Sequence, residues 1–586
     1  MTLDPITLTL VQNRLDHISQ QMGWVMMRTA RSPIFSQAHD FSCFITDAMG
    51  YILAQADGLP IHTGGGGFAV RALIEAFGDD IVDGDVFVLN DPYAAGGNHL
   101  PDWVISRPVF VDEHLVGFCS NRAHQSDIGG GAAGSYNSRA TEIFHEGLRL
   151  PPVRLVDAGV TRRDVWSLLL LNSRAPNLME GDLQAMLGST RIGAEHIAEL
   201  SRELGTEREA YFEGILDVGD RRMRAEIADL PDGIYRGEDG TDTDCFEQID
   251  YVIRVTLTVA GERMTVDFTG TDPQMKGFKN SSIANTWSAV YTGLASFLSP
   301  ALPGNEGTFR AVDIIAPEGS LVNPRPPAPM TMNTIAPAIE IIHAVWCALG
   351  EADPARGCAG WGKNSVPTMA GRDDDDMPYV MYHWAGAIGT GAVDGRDGFN
   401  ANGGLMALGA LYLPDLERYE QTYPVRFLRQ AFRIDGGGAG LFRGGTGIDY
   451  AVEVERPAVL SLRGEGLNTP SGFGFQGGGT GQAGRMRIEL DDGEVILPDK
   501  YGILPVGPMT LELEAAGGGG WGDPLGRDPY LVQRDVRDGT VSVGAATDLY
   551  GVVFKESSHA VDDVATEALR DRLSRERCSE VEERYP

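Results

Sequence analysis

Two short stretches carry the side chains from which a metal site is built. In Asn90-Asp91-Pro92-Tyr93-Ala94-Ala95-Gly96-Gly97-Asn98-His99-Leu100-Pro101-Asp102 a glycine-rich loop ends on His99 and Asp102, and Asn121-Arg122-Ala123-His124-Gln125-Ser126-Asp127 follows after one short hairpin. Trp103 to Phe110 reads as a strand, Val111-Asp112-Glu113-His114 as a turn, and Leu115 to Ser120 as the returning strand. A turn centred near residue 113 pairs positions whose numbers sum to about 226, which sets Asp102 opposite His124. Cross-strand neighbours lie roughly 5 Å apart, so these two meet on one sheet edge while His99 arrives from the adjoining loop. Two imidazoles and a carboxylate are the donor set of open catalytic zinc or manganese sites, where a position remains for water or substrate. The competing reading makes His99 a loop cap and His124 a satisfied polar residue at a strand end. It treats the histidines one at a time and leaves out their convergence with a carboxylate.

The elements that must hold these residues are mixed. Asp4-Pro5 starts a helix whose apolar face is Val11, Leu15, Ile18, Met22, Val25 and Met26. Phe41 to Ile45 and Tyr51 to Ala54 form a hairpin through Asp47-Ala48-Met49-Gly50, with Asp40 at its entry, and Asp85 to Leu89 is a further strand. A charged helical stretch runs from about Asp182 to Asp229 and ends at Pro231-Asp232-Gly233. Tyr251 to Val259 and Arg263 to Phe268 alternate as strands. The proline-rich segment Pro317 to Pro329 is a linker or crossing loop before a helix at Ala338 to Leu349. From about residue 430 short strands (Asp449 to Val454, Leu460 to Arg463, Arg485 to Leu490, Thr510 to Glu514) alternate with glycine clusters, and Val561 to Arg584 is a solvated helix. The expected class is mixed α and β, multi-lobed. The expected regions are a metal-binding α/β region at 1–230, a mixed strand and helix region at 231–330, a helix and loop region at 331–430, a β-rich glycine-rich lobe at 431–530 and a charged tail at 531–586.

The chain has 586 residues, 42% apolar and 22% charged, which is globular composition and long enough for several lobes. A net charge of −34 repels phosphate backbones and anionic headgroups, so nucleic-acid binding is not expected. The six cysteines are scattered without a Cys-x-x-Cys pair, no signal segment leads the chain, and no apolar run is long enough to cross a bilayer. A cytoplasmic protein without membrane insertion is the expectation. The 75 glycines follow no fixed period, and their clusters read as tight turns and close backbone approaches.

Other chemical signals are weaker. Gly357-Cys358-Ala359-Gly360-Trp361-Gly362-Lys363-Asn364 nearly spells a phosphate-binding loop, but Asn364 stands where a magnesium-binding hydroxyl is required and a helix precedes it where a strand is required. It reads as an ordinary loop. Gly517 to Gly520 reads as a structural turn rather than an anion nest, and Asp373 to Asp376 as a solvated loop rather than a cation site. No nucleophile elbow is present.

Several separate motifs resemble the hydantoinase B/oxoprolinase family: Arg31-Ser32-Pro33-Ile34-Phe35-Ser36-Gln37-Ala38-His39-Asp40-Phe41-Ser42-Cys43, Asn90 to Tyr93, Gly97 to Asp102, Thr141 to Pro152, Asp267 to Thr271 and Gly518 to Asp528. The likeness is greatest to the shorter bacterial subunits of the ATP-dependent hydantoinase and caprolactamase type, and more distant to ketone carboxylase subunits. It implies one divalent transition metal, zinc or manganese or iron, held by Asp40, His99, Asp102 and His124. It also implies a hetero-oligomer with a hydantoinase A type subunit of actin-like ATPase fold, which carries the ATP and magnesium. The family often has arginine where this chain has His39. The implied reaction is opening of a lactam, hydantoin or oxoproline-like ring after the partner phosphorylates its carbonyl oxygen. Water whose pKa a metal lowers to about 7 is the implied nucleophile. Within that reading Asp127 is a candidate to orient a ligand or the water, and Glu146 a candidate proton shuttle. The alternatives are a ketone carboxylase subunit, which would require bicarbonate, and a subunit whose metal only holds the fold.

Overall fold

The computed structural model describes residues 3–584 apart from 56–57, 65, 384–385, 409–411 and 557. The glycine run 64–67 therefore falls partly outside the described residues. Asp4 caps the first helix, Pro5–Thr29, by accepting from the amides of Ile6 and Thr7, and Val11, Leu15, Ile18, Met22 and Met26 form its buried face. Val25 sits at the margin of that face and is half-buried.

That face covers a seven-stranded antiparallel sheet made of β1 (Phe41–Asp47), β2 (Ile52–Gln55), β3 (Val86–Leu89), β4 (Asp102–Val111), β5 (His114–His124), β6 (Val153–Asp157) and β7 (Val160–Thr161), in the order β2-β1-β5-β4-β3-β6-β7. The hairpin of β4 and β5 turns on Asp112 and Glu113, both at positive φ (49° and 65°) as a two-residue primed turn requires. Such a turn alone would pair Asp102 with residue 123. A bulge between Val109 and Phe110 shifts the register by one and brings Asp102 opposite His124, as the sequence predicts.

The expected helical stretch is two helices, Pro176–Leu204 and Arg208–Ala228. A second sheet, β11-β10-β9-β8, contains β8 (Gly233–Thr243), β9 (Gln248–Ala260), β10 (Arg263–Asp267) and β11 (Val312–Ile315). Helices Ile283–Leu298 and Ala338–Ala352 pack beside it, and their apolar residues join those of the first sheet in one continuous core. The two remaining sheets share another core. One has the order β13-β12-β16-β19, from β12 (Thr368–Arg372), β13 (Pro378–Tyr382), β16 (Ala458–Arg463) and β19 (Tyr501–Val506). The other, β14-β15-β20-β17-β18, comprises β14 (Val425–Phe432), β15 (Ile448–Val454), β17 (Arg485–Leu490), β18 (Val495–Ile496) and β20 (Met509–Glu514). The chain's class is mixed α/β with four sheets among the described residues. No described helix is long and apolar enough to cross a membrane.

The glycine clusters form a structure of their own. Gly438, Gly518, Gly519 and Gly520 donate their amides to the carbonyls of Gly518, Gly445, Gly360 and Gly479, so extended segments bond backbone to backbone without side chains between them. A Cβ on Gly517 would stand 1.8 Å from the Gly436 carbonyl oxygen, and one on Gly519 1.9 Å from that of Phe473. Neither glycine has positive φ; it is close approach, not turning, that requires them. With all four amides of Gly517–Gly520 bonded internally, the expected turn is a bundle segment and offers no anion nest.

Candidate metal centre

Strands β1, β5 and β4 lie side by side and antiparallel, so the start of β1, the end of β5 and the start of β4 share one end of the sheet. Asp40, His124 and Asp102 occupy those positions. The Asp40 carbonyl accepts from the His124 amide at 3.1 Å, and Asp102 closes a turn on the His99 carbonyl at 3.2 Å.

The loop that delivers His99 is pinned by buried amide side chains. Asn90 donates to the carbonyls of Leu100 and Leu148 and accepts from the Leu150 amide; Asn98 donates to the Ile61 carbonyl and accepts from Arg122 at 2.6 Å. Gly97 is required here, because a Cβ would fall 1.9 Å from the Asn90 carbonyl oxygen. These contacts account for Asn90, Gly97 and Asn98 as the scaffold that holds His99 in place.

Donor atoms of His99, Asp102 and His124 all lie within 4.8 Å of one another, and all three residues are buried. His99 Nε2 and His124 Nδ1 stand 2.8 Å and 3.0 Å from Asp102 Oδ1. His99 Nδ1 is 2.5 Å from the Thr331 carbonyl, which can only accept, so that nitrogen carries a proton and, in the neutral ring, Nε2 is the one left to bind a metal. Despite its distance from Asp102, His99 Nε2 makes no hydrogen bond of acceptable angle, and Asp102 Oδ2 has none either. Buried polar atoms are seldom left in that condition. An imidazole nitrogen and a carboxylate oxygen left without hydrogen bonds in one buried cluster fit a cation, which would take the place of the proton that Asp102 otherwise favours on His99.

His62, which no motif or spacing singles out, completes the wall. Its Nε2 is 3.2 Å from Asp102 Oδ2 and 3.6 Å from Asp40 Oδ1. It sits on a short helix, Pro60–Thr63, before a glycine run, far from the hairpin in sequence. Burial raises the Asp40 carboxyl above its usual range, against the pull of His124 and His62. Burial would raise Asp102 as well, but the nearby imidazoles of His99 and His62 and the hydrogen bond from His124 outweigh it and hold that carboxyl well down. One carboxylate in the cluster is therefore firmly anionic.

The two weaker candidates lie outside this contact set. Glu146 is buried, and its carboxyl accepts from the Met330 and Thr331 amides at 2.7–3.0 Å. Since the Thr331 carbonyl in turn holds His99, Glu146 reaches the centre through one residue. Burial pushes its pKa to about 7. Asp127 accepts from the amides of Gly129, Gly134 and Arg174 and from the Arg174 guanidinium, all near 3.0 Å. Its carboxylate thus organises the loop after His124. His39 adopts left-handed backbone (φ 58°) and sets its half-buried ring 4.6 Å from that of Tyr412, beside the cluster rather than within it.

A second buried cluster contains the lysine of the phosphate-loop look-alike. Lys363 Nζ lies 2.9 Å from Glu340 Oε1, off the line of a hydrogen bond, and 3.2 Å from Asp239. His343 Nδ1 is 2.8 Å from Asp239, and Lys279 meets Glu465 at 2.5 Å with Tyr501 on the same carboxylate. A helix, Ala338–Ala352, precedes this loop. The Asp373–Asp376 run is an exposed turn between β12 and β13, in which Asp373 accepts from the amides of Asp375 and Met377.

Residues 4–524 match the hydantoinase B/oxoprolinase family. The chain is 37% identical to caprolactamase subunit beta of Pseudomonas jessenii over 97% of its length and 99% of that protein. It superposes on the crystal structure of the ATP-dependent caprolactamase from the same organism with a TM-score of 0.90 at 35% identity, covering 97% of this chain and 100% of that one. With 5-oxoprolinase 1 of Arabidopsis thaliana it shares 28% identity over 89% of its length and 42% of that longer protein. An acetone carboxylase structure matches in fold alone, with a TM-score of 0.88 at 21% identity over 98% of this chain and 84% of that one. A family match spanning most of the chain, joined to a relative aligned nearly end to end, establishes that this protein belongs to the hydantoinase B/oxoprolinase family.

Proposed function

We propose that the protein is the metal-bearing subunit of an ATP-dependent cyclic-amide hydrolase, opening a lactam, hydantoin or oxoproline-like ring that a partner subunit has activated. The observation that carries this reading is the pair of buried, unbonded donors, His99 Nε2 and Asp102 Oδ2, set among His124, His62 and Asp40. The end-to-end likeness to a caprolactamase subunit supplies the substrate class and the need for a partner. The partner proposed is an actin-like ATPase, and the location proposed is the cytoplasm.

An unstrained amide resists water because resonance stabilises its carbonyl and its nitrogen leaves poorly. Phosphorylation of the carbonyl oxygen weakens both obstacles. His99, Asp102 and His124 would hold the metal, with Asp40 and His62 completing the set; the ion, zinc, manganese or iron, supplies Lewis acidity and a water of lowered pKa. The remaining roles belong to the chain. The Thr331 carbonyl fixes the His99 tautomer, and Glu146 fixes the peptide that carries Thr331. Asp102 stays ionised. Asp127 orders the loop that follows His124. Glu146, with its pKa near 7, can take up or release a proton at neutral pH, and its bonds to the Met330 and Thr331 amides set it one residue away from His99.

Co-expression with the actin-like partner, followed by a screen of lactams, hydantoins and 5-oxoproline for ATP-dependent ring opening, tests the reading. Ring opening without bicarbonate is the expected result. Turnover of ketones that requires bicarbonate, with no cyclic amide opened, would replace hydrolysis by carboxylation.

A further inference from the structure

We infer that Arg463 is the anion-binding residue of this centre, its buried guanidinium receiving an oxyanion, phosphoryl or carboxylate, of the reacting molecule. The inference deepens the hydrolase reading and rests on it for what that molecule is.

Arg463 ends β16 and is 1% exposed. Its Nε donates to the Val366 carbonyl at 2.8 Å; the Tyr136 hydroxyl lies close enough to interact with the guanidinium, but neither Nη1 nor Nη2 makes a hydrogen bond of acceptable geometry among the described residues. The guanidinium carbon lies 3.7 Å above the Tyr136 ring and 5.4 Å from that of Tyr382. Tyr136 stacks on His124, with ring centres 5.7 Å apart and planes at 23°, and the Tyr382 hydroxyl is 3.3 Å from His124 Nε2. One aromatic layer therefore separates the unpaired cation from the metal centre.

The neighbours of Arg463 are also short of partners. Ser365 bridges Gly464, Thr368 pairs with both Tyr382 and Ser461, and the His383 amide donates to the Pro367 carbonyl, so all stand at the same end of the third sheet. Both ring nitrogens of His383 and the hydroxyls of Ser365 and Thr368 are buried without hydrogen bonds. Stacking against tyrosine steadies a guanidinium but leaves its terminal N–H groups unpaired. A planar fork with two free edges matches phosphate or carboxylate oxygens two at a time, and hydroxyls beside it can add further donors. A buried cation calls for an anion.

The test uses the full chain with chelator present, so that a metal cannot be the receiver, and follows the melting temperature against inorganic phosphate and, separately, acetate. Phosphate should raise the melting temperature of the unaltered chain in a concentration-dependent way. Arg463→Lys, which keeps charge but not the fork, should weaken the apparent affinity at least about tenfold. Arg463→Met, an apolar side chain of similar reach, should fold and lose the response. Stabilisation by phosphate and not acetate points to a phosphoryl source, and the reverse to a substrate carboxylate. If neither anion stabilises the unaltered chain, or if both variants respond like it, the inference fails. An Arg463→Met chain that does not fold leaves the decision to Arg463→Lys, where an unchanged response overturns the inference and a weakened one upholds it. No partner or ATP is involved. A phosphate response that depends on Arg463, together with failure of ring opening, would sink the hydrolase reading alone.

Discussion

The two buried charge clusters use the same side chains to opposite ends. Around Lys363 the carboxylates of Asp239 and Glu465 face the ammonium groups of Lys363 and Lys279, and Glu340, whose carboxyl burial lifts to about 7, is the remaining acid. With Glu340 protonated, two anions meet two cations. Around Asp102 imidazoles are the groups within ion-pair distance of the carboxylates among the described residues, with the buried Arg122 guanidinium acting on Asp102 from farther away, and two donor atoms remain unbonded. A network whose cations and anions balance stabilises one arrangement of chain, even though neither oxygen of Glu340 makes a hydrogen bond. One whose unbonded donors are an imidazole nitrogen and a carboxylate oxygen has the composition of a cation site.

Breaking either cluster should expose the difference. The largest effect is expected for Lys363→Met, which strands Asp239 and Glu340; chemical denaturation should show a loss of about 3–5 kcal/mol with metal content unchanged. A stability near that of the unaltered chain would show that the second cluster is not the balanced network described.

Asp102→Asn removes a charge that opposes no resident ammonium, so the fold should survive while elemental analysis shows loss of metal. Ring opening with the partner present should fall at least about 100-fold, and substrate-stimulated ATP cleavage much less. Near-normal metal content and turnover in a folded complex would place the chemistry elsewhere.

Glu340 also gives the comparison a pH dependence. Its folded pKa, about 7, exceeds the ordinary 4.5, so between those values the folded state binds the proton more tightly and stability falls as pH rises. The loss should be on the order of 2 kcal/mol between about pH 4.5 and 7, and Glu340→Gln should flatten it. An identical slope in the variant would assign the dependence to other groups.

His62→Gln should have the smallest effect, weakening metal affinity about tenfold if His62 supports rather than dominates the centre. Competition with a chelator measures it directly. A loss equal to that of His99→Ala would promote His62 to a principal ligand.

The sequence made the hairpin legible because its register depends on local facts: alternation, a turn and the sheet period. Asp102 and His124 were placed opposite each other from those alone, although the bulge that makes the register so was not visible. Asp40 came only through a family motif, and its position beside β5 is a long-range pairing. His62 had no periodicity or spacing to mark it. Strand β8 escaped notice because Gly233-Ile234-Tyr235-Arg236-Gly237-Glu238-Asp239-Gly240 lacks the β-branched run that strands usually show, and it is held by β9 and the helix Ala338–Ala352 instead. The Lys363 cluster draws on five widely separated segments, which nothing short of the fold brings together. The glycine clusters read as tight turns and close approaches; at Gly517 and Gly519 only the close approach holds, and their joining into one bundle is beyond a local reading.

That bundle has a thermal consequence. A core built from peptide groups bonded to peptide groups exposes little hydrocarbon when it opens, and polar exposure lowers the heat capacity of unfolding where apolar exposure raises it. The glycine segments should therefore add little curvature to the stability of the molecule with temperature, while the Leu, Ile and Val cores of the sheets supply most of it. Cooling, which weakens apolar burial, should spare the bundle.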